Sequence, residues 1–368
     1  MSKIRTYLIW ILPLFFLTSC GTSAVAPKPT PALTPSAPSA VFSTPSPTAA
    51  IAPITLAFGG DVHGEAPISQ QLRAGKNPLD SVVAILTSAD IAAVNLETAI
   101  SSRGTPSVKK YLFRSNETLL ANIKSGGVDL INVGNNHAMD FGPVAFADTL
   151  AAITSSGMVA IGGGLNKSMA WAPQIMSVRG TKIAFIGIAD INGGRYSVAT
   201  DNQAGTTYGW HEADAITAIA QAKKVASIVV VMVHWGVELA PCPSQRSTKL
   251  AAAWFKAGAN VIIGSHPHVQ QGATLSNGHF VDFSLGNFVF YSHGGPASES
   301  GVETVTIYPD GEVTGWHFYP ALIDTRTGAP IVTTGSKTQL YKEKKMSLTP
   351  GGTTCPNSGS IPLTNSTT

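Results

Sequence analysis

The chain has 368 residues, 44% of them apolar and only 12% charged, against a charged share of ~25% in ordinary globular domains. That much apolar material excludes wholesale disorder, and a formal charge of +3 supplies no field to gather nucleic acid or another polyanion. Three Cys exclude a disulfide-dense scaffold and a Cys-rich zinc knuckle.

Residues 1–19 have the outline of a secretory signal: Lys3 and Arg5 precede an apolar stretch interrupted only by Pro13. The stretch is shorter than the ~20 residues a spanning helix needs. Its exit, Leu17-Thr18-Ser19-Cys20, resembles a bacterial lipobox, which makes Cys20 the expected lipidated N-terminus of an extracytoplasmic, membrane-anchored protein. Two or more acyl chains on one Cys give the strength that stable anchoring requires. Residues 20–53 are almost entirely Ala, Pro, Ser and Thr, a composition that reads as a semi-rigid stalk of roughly 3.1 Å per residue.

From residue 54 onward, apolar β-branched runs alternate with stretches of helical period. Strands are predicted at 54–58, 91–95, 129–133, 182–188, 228–234 and 260–263, and helices at 79–87, 117–125, 144–156, 213–224 and 247–257. This alternation points to an α/β layered fold with largely parallel pairing. After Gly264 only strands are predicted, at 279–284, 287–291, 301–308 and 312–318, as a closing meander that forms a second sheet or its edge. The folded domain is expected over 54–345, and residues 346–368 as a flexible tail. Cys242 and Cys355 either form a disulfide that staples this tail to a loop or remain two free thiols.

Ligands of open α/β sheets collect beyond the carboxyl ends of strands. Five of the nine His fall there. The first strand runs into Gly60-Asp61-Val62-His63 and the second into Asn95-Leu96-Glu97. The third reaches Gly134-Asn135-Asn136-His137, with Asp140 three residues on. The run at 228 reaches His234-Trp235-Gly236-Val237-Glu238, and the one at 260 reaches Gly264-Ser265-His266-Pro267-His268. Each cluster alone is compatible with a turn, a cap or a structural histidine; their coincidence is what points to a metal centre. In Asp61-x-His63 and His266-x-His268 the two side chains of an extended segment would face the same way.

In order, and together with Ser284-Leu285-Gly286-Asn287-Phe288, these motifs resemble those of the bacterial capsule-synthesis family called CapA or PgsA, linked to poly-γ-glutamate capsules. That family is similar to the calcineurin-like metallophosphoesterases, and the resemblance spans about residues 54–331. It implies a four-layer α-β-β-α sandwich of two mixed sheets with two divalent ions at the strand ends. Asp61, His63 and His268 would hold the first ion, and Asn136, His234 and His266 the second. Glu97 would bridge them, His137 would act as general acid, and Asp140 would orient it. Asn95, Asn287 and Glu238 are candidates for the substrate side.

Carboxylate, imidazole and amide ligands suit Mn, Fe or Zn. Such a pair serves phosphoester hydrolysis. The chain departs from the metallophosphoesterase pattern in carrying Glu97 where those enzymes have Asp, and in its doubled Asn, which leaves Asn135 or Asn136 as the ligand. Two functions are expected: a metal-dependent hydrolase of phosphoesters or envelope polymer, or a non-catalytic accessory that tethers an anionic capsule polymer. The partners implied are the membrane, a capsule or cell-envelope polymer and a capsule-synthesis membrane complex, with no nucleic acid.

Overall fold

A computed structural model describes residues 52–191 and 197–359, all within one compact unit. The expected signal segment, Cys20 and the stalk up to residue 51 lie outside the described residues. Among the described residues no helix is long and apolar enough to cross a membrane.

Runs of apolar residues buried on both faces build the centre, as expected for parallel strands covered on each side. Ile54–Val62 lies in the middle of the first sheet, with Ile91–Leu96, Leu130–Asn132 and Val159–Ile161 following in parallel on one side. On its other side Glu299–Ile307, Val313–Ile323 and Pro330–Val332 are antiparallel. The second sheet runs Ala273–Ser276, His279–Asp282, Val261–Ser265, Ile228–His234, Thr181–Ala189, Gln174–Val178, parallel at its centre and antiparallel at both edges.

Three cores separate four layers. Phe58, Phe185, Met232 and Phe280 fill the space between the sheets. Leu119, Ile123 and Phe146 pack helices onto the outer face of the first sheet. Ile219, Leu250 and Trp254 pack Glu212–Val225 and Gln245–Ala257 onto the second. Helix, sheet, sheet, helix is the architecture that the motif resemblance implies.

Local chemistry sets the helix ends. The Asn116 side chain accepts from Thr118 N–H to start Glu117–Ser125, and Ser244 caps Gln245–Ala257 at Ser247 N–H. The helix expected at 79–87 shortens to Val83–Ser88, because the Asn77 carboxamide captures Leu79 N–H in a turn.

Two expectations are corrected. The closing strands do not share a sheet: His279–Asp282 joins the second, whereas Glu299–Ile307 and its successors extend the first. The chain crosses between the sheets after Asp282, which sets Asn287 beside Asp61. Nor is the tail loose as far as residue 359. The helix Ser336–Ser347 is followed by the buried Leu348 and a 3-10 turn at Pro356–Ser358, and Cys355 is disulfide-bonded to Cys242 with Cα atoms 5.5 Å apart. A covalent bond and a buried charge, rather than apolar content, hold this segment.

That charge is Lys345, only 1% exposed, whose Nζ lies 2.7 Å from Asp282 Oδ2. Glu303 is buried beside Asp282, and burial followed by the Asp282 charge raises its pKa well above the usual carboxyl value. Asp282 is raised as well, by burial, with Lys345 opposing. Folded Glu303 therefore holds its proton more tightly than the unfolded chain does. Stability is greatest below the unfolded pKa and falls as pH rises through the window between the unfolded and folded values. Glu303→Gln is expected to flatten this loss, measured as the difference in thermal midpoint between pH 5 and pH 8; an unchanged difference contradicts it.

Candidate metal centre

The first sheet delivers three polar strand ends side by side. Asp61 pairs in register with Asn95 on one flank and Asn287 on the other, and Asp61 N–H donates to Gly286 O at 3.0 Å. Only glycine permits this approach, since a Cβ at Gly60 would stand 2.0 Å from Gly286 O. From the second sheet come His234, in register with Ser265, and the segment that follows Ser265. There His266 (φ 97°) and His268 (φ 57°) sit in the left-handed region. That conformation costs on the order of 1–3 kcal/mol per residue and persists only where the surroundings over-determine it.

Glu97 occupies the centre of this junction. Its Oε1 lies 3.5 Å from His234 Nε2, 3.8 Å from His137 Nε2 and 3.9 Å from His268 Nε2. Glu97, His266 and His268 offer ligand atoms all within 4.8 Å of one another. Both Glu97 oxygens are buried, and among the described residues neither has a hydrogen-bond partner of good geometry, the His234 Nε2 contact at 3.5 Å being long. A buried carboxylate without donors is costly unless a cation meets it, so the residues present fit a divalent ion.

The surrounding contacts aim the other nitrogens. His234 Nδ1 meets Ser265 Oγ at 2.9 Å, which leaves Nε2 facing Asn136 Oδ1 at 2.8 Å and His266 Nδ1 at 3.1 Å. His268 Nδ1 lies 2.8 Å from Asn287 Oδ1 and 3.5 Å from Asp61 Oδ2, so its Nε2 turns to Glu97.

The electrostatics follow from crowding. Burial, then the Glu97 charge, pushes Asp61 up to about 6. Burial also acts to raise Glu97, but the imidazoles of His268 and His234 outweigh it and hold this carboxyl far below its usual range. For His268 burial is outweighed in turn by Glu97 and Asp61, and its pKa rises. Burial and then His234 lower that of His266.

Of the two asparagines left open, Asn136 faces His234. Asn135 turns inward, donating to Leu96 O at 2.8 Å and Asn95 Oδ1 at 3.3 Å. His137 Nδ1 lies 2.7 Å from Asp140 Oδ2.

Three expected site residues stand differently. His63 follows the end of its strand, so strand alternation does not carry to it. Its Nδ1 accepts from Glu65 N–H at 2.9 Å, its Nε2 meets Tyr291 N–H at 3.2 Å, and the ring is packed among Phe113, Phe290 and Tyr291. In this arrangement a backbone N–H, rather than a carboxylate of the cluster, faces each nitrogen. Asn95 is not on a substrate side: Nδ2 donates to Asp61 Oδ1 at 2.7 Å, and Oδ1 accepts from Asn132 at 2.9 Å. Asn287 is likewise consumed, by His268 and by donation to Ala297 O at 3.0 Å. Glu238 is exposed, and its carboxylate acts on His268 and Tyr291 through space.

Sequence reasoning missed Lys109, whose Nζ donates to Asp140 Oδ1 and Asn136 O, each at 2.7 Å. It lies in a polar loop at no strand end, and the need of the buried Asp140 for a counter-charge was its sole signal. Asn132, the last residue of its strand and two residues before the third motif, was also missed.

Comparison with known proteins places these features in a family. The chain matches the family described as "Bacterial capsule synthesis protein PGA_cap" over residues 55–292. It is 34% identical over 212 residues to the "PGA biosynthesis protein CapA" of Bacillus subtilis, covering 56% of this chain and 54% of that protein. It is 33% identical over 186 residues to the "Capsule biosynthesis protein CapA" of Bacillus anthracis, covering 49% and 44%. The chain thus spans about half the length of the relatives it matches. Among solved structures, the calcineurin-like phosphoesterase YfkN of Bacillus subtilis is similar with a TM-score of 0.47 at 14% identity, covering 80% of this chain and 98% of that one. The layering described above stands on strand order and cores. With the matched span running from the first strand past the last His of the centre, the chain belongs to the bacterial capsule synthesis family PGA_cap.

Proposed function

We propose that this chain is an extracytoplasmic, lipid-anchored capsule-synthesis protein that uses two divalent ions, Mn, Fe or Zn, to hydrolyse a phosphoester or an envelope-polymer bond during capsule or poly-γ-glutamate formation. The observation that carries the reading is Glu97, a buried carboxylate ringed by imidazoles and, among the described residues, without a hydrogen-bond donor of good geometry. Asp61, Glu97, Asn136, His234, His266 and His268 are the ligands this arrangement supports. Bound there, the ions supply Lewis-acid activation of water and charge stabilisation of a phosphoryl or acyl oxygen.

The chain's own groups do the rest. Asp140 faces His137 Nδ1, leaving Nε2 as the atom that hands a proton to the leaving group. Lys109 Nζ and Phe113 N–H both donate to Asp140, which fixes the position of that carboxylate. Asn287 holds His268 so that Nε2 points at Glu97. Glu238, exposed and acting on His268 through space, is the remaining candidate to meet substrate. The anchor and the membrane as partner rest on the lipobox at Cys20 and the stalk behind it. A capsule or cell-envelope polymer as partner, and a capsule-synthesis membrane complex, rest on the family and its Bacillus relatives.

One observation favours a second reading, non-catalytic tethering of an anionic capsule polymer: the turned His63 leaves the expected first ion short of a ligand.

His137→Ala separates the two. In the hydrolase it retains bound metal while turnover of an aryl phosphodiester with added Mn falls ~10²- to 10⁴-fold; unchanged turnover removes His137 from its role. Glu97→Ala is expected to lose one or both ions by elemental analysis, and full occupancy contradicts the central position of this carboxylate. Cys20→Ser is expected to leave the protein unprocessed or released from the membrane fraction; normal cleavage and retention contradict lipidation.

A further inference from the structure

The segment 336–359 lies beyond the family match, which ends at residue 292. We infer that it is a clamp that holds the two loops carrying His234, Glu238, His266 and His268 in register, with Lys345 as the positioning residue and the Cys242–Cys355 disulfide as the second fixing. The inference rests on the metal reading above for its functional consequence, not for its structural basis.

The contacts form a closed circuit. Lys345 Nζ enters from the helix Ser336–Ser347 and donates to Gln270 Oε1 at 2.8 Å and Gln271 O at 3.1 Å, two and three residues after His268. Gln271 Nε2 in turn donates to Ala240 O at 2.8 Å and Cys242 O at 3.1 Å, in the loop that leaves His234 and carries Glu238. Between these loops Leu239 N–H donates to Pro267 O at 2.8 Å. Cys242 is covalently joined to Cys355, which returns the circuit to the segment that began it. Thr248 Oγ1 donates to Ser358 O at 2.9 Å, and a Cβ on Gly272 would lie 2.3 Å from Leu348 O, so the segment lies tight along the same loop.

A surface helix does not bury a lysine without return. Lys345 is paired with Asp282, beside the protonatable Glu303, and its remaining hydrogens go to the loop of the metal ligands. That loop is the stretch in which His266 and His268 keep positive φ. Such a conformation relaxes unless it is held from outside; downstream of His268, Ser284 Oγ donates to Val269 O at 2.8 Å and Lys345 holds the next two residues, Gln270 and Gln271. Orientation of ligands by outer contacts typically governs metal affinity by about 10- to 100-fold.

The test uses the full-length protein and three changes: Lys345→Met, Gln271→Leu, and the pair Cys242→Ser with Cys355→Ser. The latter two leave the buried charges intact and so remain informative if Lys345→Met does not fold. Amide hydrogen exchange over residues 265–272 is read against that of residues 54–58, alongside the Mn dissociation constant of the folded fraction. Faster exchange confined to 265–272, with Mn affinity reduced about 10- to 100-fold, is expected. A lowered thermal midpoint with unaltered exchange in 265–272 and unaltered Mn affinity shows segment 336–359 to be ordinary structural support and overturns the inference. If the unmodified protein binds no Mn, the metal reading fails by itself, and the exchange data alone decide whether the clamp exists.

Discussion

A single buried carboxylate organises this molecule. Glu97 is removed from water and, among the described residues, meets no hydrogen-bond donor in good geometry, a condition whose effective penalty is several kcal/mol for an isolated charge. Three imidazole nitrogens within 3.5 to 3.9 Å of its Oε1 define the space a cation would share. Those imidazoles come from three separate loops of two sheets, so the two sheets must meet at fixed register. Gly60 makes that possible on the first sheet by admitting Gly286 O. On the second, Gly264 does the same for Phe283 O, which would stand 2.0 Å from a Cβ. The asparagine relay from Asn132 through Asn95 then fixes the Asp61 carboxylate.

Layering was legible in the sequence because apolar runs such as Ile228–His234 can only be strands buried on both sides, and polar clusters at their ends mark one edge of each sheet. The gathering of polar strand ends at one place followed from the same pattern. His63 escaped it because period-two alternation is a property of strands, and the strand stops at Val62. Asn95 and Asn287 were misread for a different reason: an amide that touches substrate and one that orients a ligand have the same composition and spacing, and only the buried partners distinguish them. The choice between Asn135 and Asn136 likewise depends on which way each turns after the strand, a matter of backbone direction.

Lys345 is the sharpest case of hidden information. Within Lys342-Glu343-Lys344-Lys345 it looks like part of a solvated helix face, yet it is buried while Lys344 pairs with Glu299 at the surface. What distinguishes it is the pair Asp282 and Glu303, sixty-three and forty-two residues upstream, whose joint burial calls for a cation. Loose composition after residue 346 concealed the same segment's order, because a disulfide needs no apolar residues around it. The histidine cluster and the C-terminal segment therefore converge on the same stretches between His234 and Gln271.

Electron paramagnetic resonance of the purified protein loaded with Mn tests the role of Glu97 most directly. Two ions held on either side of one carboxylate give a spin-coupled signal at an occupancy of two per chain. A spectrum of isolated Mn at one per chain, or of free aqueous Mn with none bound, contradicts a bridging Glu97.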